Sequence, residues 1–225
     1  IRGILNMMEA SRQNGVKKFV YASSSSVYGD HPVLPKKEGH EGKLLSPYAL
    51  TKRVDEEYGR LYKVLYGLDT YGMRYFNVFG RRQDPNGAYA AVIPLFVKKF
   101  MNYESPNING DGEYSRDFTY IDNVIEMNML ALLTENVDAV NQIYNTACGE
   151  RTTLNQLVSY LREYLSKFDS EIAKIEPTYG SNRVGDIPHS LACVDKAKKL
   201  LNYTPKYDVK IGLKESITWY WENLK

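Results

Sequence analysis

The chain has 225 residues, 43% of them hydrophobic, and 29 basic against 27 acidic side chains give it a net charge of +2. That is enough apolar material for a substantial core, in one large domain or one and a half. Near-neutral, interspersed charge argues against an electrostatically driven nucleic-acid or membrane binder, yet allows a small acidic ligand held by one or two arginines. Cys148 and Cys193 are too few and too far apart for a disulfide framework or a metal site, and the three histidines show no ligand spacing. No metal is therefore expected, and the compartment expected is the reducing cytoplasm. No apolar run reaches bilayer-spanning length.

IRGILNMMEASRQNG opens in helical rhythm, with Ile4, Leu5, Met7 and Met8 near one face and Gly15 as a stop, which predicts a helix over residues 1–14. Phe19, Val20 and Tyr21 form a short apolar run before a serine cluster, the mark of a buried parallel strand over 17–23. After a polar loop with Pro32, Pro35 and Gly42, SPYALTK starts a helix over 47–66. Ser46 can cap it, Pro47 suits its first position and Gly67 ends it. DTYGMRYFNVFG reads as one further strand ending at Gly80. Helix, strand, helix, strand is the pattern of a doubly wound α/β sheet.

Beyond the turn-rich RRQDPNG loop, the pattern predicts a helix over 89–102, two short strands around the NGDG turn, and a helix over 123–135 capped by Asp122. NQIYNTAC is another strand, and Thr152 or Thr153 caps a helix over 154–167. Short strands are expected near 175–179 and 190–194, and helices near 195–201 and 210–224. The interleaving predicts two lobes: residues 1–80 in a sheet domain and 81–225 mainly in a smaller lobe, with about 142–167 returning to the sheet.

Tyr48 and Lys52 stand four residues apart, so both project from one face of the predicted helix. A phenol is a poor base at neutral pH, and a neighbouring ammonium favours its ionised form. The same spacing arises by chance in many helices, so an ordinary surface pair is the competing reading. Ser23 to Ser26 follow the predicted strand directly, at the carboxyl end where open α/β sheets bind ligands. A hydroxyl there can bond a substrate oxygen and share a proton with a tyrosine; the plainer reading is the start of a solvated loop.

Five segments in order resemble a known family: YASSSSVYGD, SPYALTK, RYFNVFGRRQDPNGAYAAVIPLF, NGDGEYSRDFTYIDNV and RVGDIPHSLACVDKAKKLL. They are similar to the extended short-chain dehydrogenases/reductases, in the nucleotide-sugar branch of NAD-dependent epimerases and dehydratases. The resemblance covers essentially the whole chain and is closest to the UDP-N-acetylglucosamine 4-epimerases of bacterial surface-polysaccharide pathways. It implies part of a Rossmann-like doubly wound parallel sheet with a smaller α/β substrate-binding lobe, NAD as cofactor and a UDP-sugar as substrate.

Carried over by position, Tyr48 matches the catalytic base and Lys52 the lysine that holds the nicotinamide ribose. Ser24 matches the catalytic serine, ambiguous by one residue within the run, with Ser25 and Ser26 as neighbouring hydroxyls. Phe76 matches a residue near the cofactor and Asn77 one that contacts the sugar nucleotide; a buried aromatic and a strand-end polar residue fit the sequence equally. Ala91, Val92 and Ile93 match a segment along the nucleotide, and Asn109 a position in the same pocket. Arg116 and Arg183 match the arginines that hold the diphosphate, a role suited to paired guanidinium donors, although ordinary surface arginines would look the same. Asp186 matches a carboxylate on a ribose hydroxyl. Ser190 matches the position bordering the sugar's C2 substituent, where a small residue leaves room for an acetamido group.

The family's dehydratases and decarboxylases carry an acidic residue beside the serine, and SSSSV has none. The resemblance thus implies an isomerase acting by 4-epimerisation of a UDP-N-acetylhexosamine (UDP-GlcNAc/UDP-GalNAc) through a 4-keto intermediate, with Tyr48 as base. A UDP-glucose or UDP-glucuronate 4-epimerase, or an inactive sugar-nucleotide-binding or dimerisation fragment, are the alternatives. Helices 1–14 and 47–66 match the pair that forms the family's dimer bundle, so a homodimer is expected. No G-x-x-G-x-x-G occurs in the chain. The family carries that loop in its first β-α units, so the chain is expected to be the C-terminal two-thirds of such a protein and to lack most of the NAD site.

Overall fold

The computed structural model describes residues 1–86, 91–182 and 187–224. Its first half runs α1 (Arg2–Gln13), β1 (Lys18–Ser24), α2 (Pro47–Tyr66), β2 (Asp69–Tyr75), β3 (Val78–Phe79), α3 (Val92–Met101), β4 (Asn107–Asn109) and β5 (Ser115–Arg116). Then follow β6 (Thr119–Tyr120), α4 (Ile121–Leu133), β7 (Gln142–Thr146), β8 (Thr152–Thr153), α5 (Leu154–Leu165), β9 (Thr178–Gly180), α6 (Asp195–Leu201) and α7 (Val209–Asn223). Among the described residues no helix is long and apolar enough to cross a membrane.

Two compact units result. The first comprises Ile1–Phe76, Asp122–Gly149 and Leu191–Lys206, and the second Asn77–Ile121, Glu150–Ser190 and Tyr207–Lys225. The returning segment thus differs from the expected 142–167. Two segments return, 122–149 and 191–206, and α5 stays in the second unit because its apolar face decides the matter. Leu157, Val158, Leu161 and Leu165 pack with Phe96 and Phe100 of α3 and with Leu213 and Ile217 of α7.

The first unit is built on a parallel sheet of order β1-β2-β7. Side chains alternate between its faces. Tyr21 packs with Met8 of α1 and Tyr62 of α2, while Tyr71, Met73 and Tyr144 meet Met127 and Ala131 of α4 and Ala197 and Leu201 of α6. Helices on both faces explain the near-continuous apolar runs of the strands. Two glycines let α2 lie close. A Cβ on Gly59 or Gly72 would stand 2.5 or 2.7 Å from the Tyr21 hydroxyl.

Three sequence expectations change. The strand read over 69–80 is two strands in different sheets, because Asn77 takes a left-handed φ of 27° and its Nδ2 donates to the Asp117 carbonyl. The two short strands expected around NGDG are present, but they do not pair with each other: β4 pairs parallel with β9, and β5 pairs antiparallel with β8. The turn is held instead by Asn155, whose Nδ2 donates to the Asp111 carbonyl and Glu113 Oε1. No strand forms over 190–194, where only a Lys36–Ala192 bridge remains. The helix expected over 89–102 is described from Val92, and residues 89 and 90 lie outside the described residues.

Candidate active site

Where α2 begins determines where its first two turns point. Ser46 Oγ accepts the Ala49 N–H at 3.1 Å, and Pro47 fills the first position. Tyr48 and Lys52 then stand on successive turns, with Lys52 Nζ 6.0 Å from the centre of the Tyr48 ring. Tyr48 is 55% exposed, which leaves its phenol open to a ligand. Lys52 Nζ donates to the Ala22 carbonyl at 2.9 Å and lies 3.4 Å from Asp55 Oδ2. The Ala22 bond ties this turn of α2 to the end of β1, two residues before Ser24.

Ser24 closes β1 and caps a 3-10 turn over Ser25–Tyr28, its Oγ accepting the Ser26 N–H at 3.2 Å. Its own O–H has no acceptor among the described residues. Half-buried Ser25 opens the turn. Ser26 Oγ is buried without a partner among the described residues, an orphaned polar atom two residues from Ser24. Ser23 is committed elsewhere, donating to Glu56 Oε1 at 2.6 Å. Phe76 turns its ring into the core with Tyr28, Ala147, Ala192 and Val194 and is fully buried. The ring is thus part of the core, and any approach of a cofactor to Phe76 would be to its backbone.

Sequence reasoning missed the charged cluster behind these groups. Arg74 of β2 is 1% exposed and donates from Nε and Nη2 to the two oxygens of Glu56, both at 2.8 Å, and from Nη1 to Glu41 at 2.5 Å. Its guanidinium sits 4.7 Å from the centre of the Tyr28 ring. Burial by itself would weaken the charge of Arg74, but the bonds to Glu56 and the charges of Glu56, Tyr28 and Glu41 outweigh it and hold the group further protonated. Burial pushes the Tyr28 phenol up, and its hydroxyl donates to Asn145 Oδ1 at 2.7 Å. The available signal was an arginine inside the otherwise apolar strand TYGMRY, since a strand buried on both faces keeps a charge only when it is paired.

In the second unit, Asn77, Ala91, Val92, Ile93, Asn109 and Arg116 line one cavity of about 350 Å3. Phe96, Asn107, Phe118 and Leu154 are among its other lining residues and were not anticipated. Asn107 could have been, since it shares a strand face with Asn109 at a spacing of two. The cavity also holds the start of α3, where Ala91 offers no side-chain cap. Arg116 Nη1 donates to the Ser115 and Pro188 carbonyls at 3.0 and 3.1 Å. Ser190 lies outside the lining, its N–H donating to the Ser115 carbonyl at 2.9 Å. Arg183 and Asp186 lie outside the described residues.

Residues 1–147 match the model of the NAD dependent epimerase/dehydratase family. The chain belongs to that family. A putative UDP-glucose 4-epimerase of Methanocaldococcus jannaschii is 36% identical over 99% of this chain and 69% of its own length. The UDP-N-acetylglucosamine 4-epimerase from Methanobrevibacter ruminantium, solved with UDP-N-acetylmuramic acid, superposes with a TM-score of 0.90 at 38% identity, covering 99% of this chain and 68% of that one. UDP-glucose 4-epimerase of Thermotoga maritima, solved with UDP-glucose, gives 0.90 at 36% identity over 100% and 70%. These relatives of the epimerase/dehydratase chain are UDP-sugar 4-epimerases, and the family's cofactor is NAD. The chain spans about two thirds of the length of the curated relatives it matches.

Proposed function

We propose that the natural protein is an NAD-dependent 4-epimerase of a UDP-N-acetylhexosamine, UDP-GlcNAc or UDP-GalNAc, with Tyr48 as its base. The observation that carries this reading is the Lys52 bond to the Ala22 carbonyl, which sets the Tyr48–Lys52 face of α2 beside the end of β1 that bears Ser24. The residues fit the nicotinamide end of NAD: an exposed phenol, a lysine with a donor to spare and the orphaned Ser26 Oγ. NAD when bound supplies a reversible hydride acceptor. Tyr48 takes the proton of the sugar's 4-hydroxyl and later returns it, Ser24 donates its hydroxyl to the 4-oxygen, and Lys52 holds a ribose hydroxyl.

In the second unit, Arg116 and the uncapped start of α3 suit a diphosphate, since helix amino ends and guanidinium groups both favour anions. Phe118 and Leu154 offer an apolar wall to the base, and Asn77 and Asn109 offer amides to its edge or to the sugar. The small side chain of Ser190 and the likeness to a UDP-N-acetylglucosamine 4-epimerase support the acetamido sugar. Cys148 and Cys193, which form no disulfide among the described residues, support a cytoplasmic location.

The natural protein is expected to give its highest kcat/KM with UDP-GlcNAc, measured beside UDP-glucose and UDP-glucuronate. A preference for either of the others overturns the sugar assignment, and turnover of none overturns the activity. Arg116→Ala is expected to weaken UDP binding by roughly 10- to 100-fold in calorimetry, the worth of a charge-assisted hydrogen bond. We also propose a homodimer through α1 and α2, which pack together through Tyr62 and Glu9 and expose Met7, Val64 and Leu65. Sedimentation of the natural protein is expected to give twice the subunit mass, and Val64→Asp to reduce it to one.

A further inference from the structure

We infer that Asp55 is the positioning residue for Lys52, holding the ammonium so that one N–H is left for a ligand. The inference rests on the reading of Tyr48 and Lys52 given above. Asp55 is 5% exposed and lies one turn beyond Lys52 on α2. Its Oδ2 is 3.4 Å from Lys52 Nζ, and its Oδ1 is buried with no hydrogen-bond partner among the described residues.

An ammonium has three donors and no acceptor. The Ala22 carbonyl of β1 takes one donor and Asp55 of α2 a second, so two elements hold the group from different sides. A flexible four-carbon stem is thereby restrained. At 3.4 Å the contact to Asp55 is longer than the roughly 2.7–2.9 Å of a tight charge-assisted bond, so the ammonium keeps play toward a ligand.

Other charges nearby are already engaged. Glu56 is taken by Arg74 and Ser23, and Lys52 pairs with no carboxylate but Asp55 among the described residues. From β1, the Tyr21 hydroxyl is pushed up by its burial and then by the charges of Glu56 and Asp55, so it offers no competing anion. Tyr48, on the preceding turn, is the remaining titratable neighbour.

A purely structural role suits Asp55 poorly. A buried carboxylate with one orphaned oxygen is costly, and an amide or a methyl group there would cost less. A residue that burdens stability beside a functional lysine is the pattern of a group retained for activity.

The test uses the full-length natural protein and the isosteric variant Asp55→Asn. A restrained lysine gives an ammonium signal in proton–nitrogen NMR, which fast exchange erases when the group is loose. The Lys52 signal, assigned by its absence in Lys52→Met, is expected in the natural protein and lost in Asp55→Asn. Its persistence in Asp55→Asn overturns the inference, whatever the enzyme does. In turnover, Asp55→Asn is expected to lower kcat roughly tenfold, with KM for the UDP-sugar within about twofold and the melting temperature equal or higher. Asp55→Glu is expected to recover part of kcat by restoring a carboxylate. A joint fall of kcat, melting temperature and UDP affinity means a structural residue and overturns the inference. A signal present in the natural protein and lost in Asp55→Asn, in a protein that epimerises no UDP-sugar, leaves the positioning standing and removes the proposed function instead.

Discussion

Tyr48→Phe in the natural protein is expected to lower kcat by roughly 10²- to 10⁴-fold, the contribution of a positioned acid–base group. The ring stays and only the hydroxyl is lost. Tyr48 is 55% exposed, and its hydroxyl bonds to nothing among the described residues. Nothing in the fold depends on that oxygen, so the melting temperature and the affinity for UDP should remain those of the parent. UDP is read as bound by Arg116 and its neighbours in the second unit, which the substitution does not touch. An unchanged kcat would remove Tyr48 as the base. A loss confined to KM would make it a binding group only.

Glu56→Ala should instead cost about 3–5 kcal/mol of stability, because it strands a buried charge. Arg74 would keep Glu41 but lose both bonds to Glu56. Ser23 would lose its acceptor as well. The check is a fall in the urea midpoint of the natural protein with the slope of the transition unchanged. Replacing the pair together, Glu56→Leu with Arg74→Met, should recover most of the loss, since a buried ion pair exchanged for apolar side chains is often neutral. Failure of that recovery would show that the pair does more than satisfy itself. Its geometry suggests what that is: Glu56 joins α2, which carries Tyr48, to Ser23, the neighbour of Ser24.

Helix α2 was legible to the residue. Ser46, Pro47 and Gly67 are local signals, and each acts within one turn of itself, so the start, the end and the Tyr48–Lys52 face all follow without tertiary contacts. The same holds for α5, where Thr153 and Gln156 form a reciprocal cap. The parallel strand before the serines was legible too, because burial on both faces leaves an apolar run.

Long-range pairing was not legible. DTYGMRYFNVFG has the composition of one strand, yet the left-handed turn at Asn77 sends its two parts to different sheets. NGDG is a good hairpin turn by type, but β4 finds its partner in β9 some seventy residues on, a choice made by the fold. Residues 150–167 went to the second unit because their apolar face matched α3 and α7, and periodicity reports that a face exists without naming its partner.

By itself, then, the amino-acid sequence determined the local elements, the family, and which residue types the site would hold. Only the tertiary structure decided that Ser23 is spent on Glu56, that the Phe76 ring is core, and that Asp55 stands beside Lys52 with one oxygen unpaired. The physical reason is the range of the interactions. Caps and helix faces are set within four residues, whereas the pairing of a buried charge depends on strands and helices that meet only when the chain has folded.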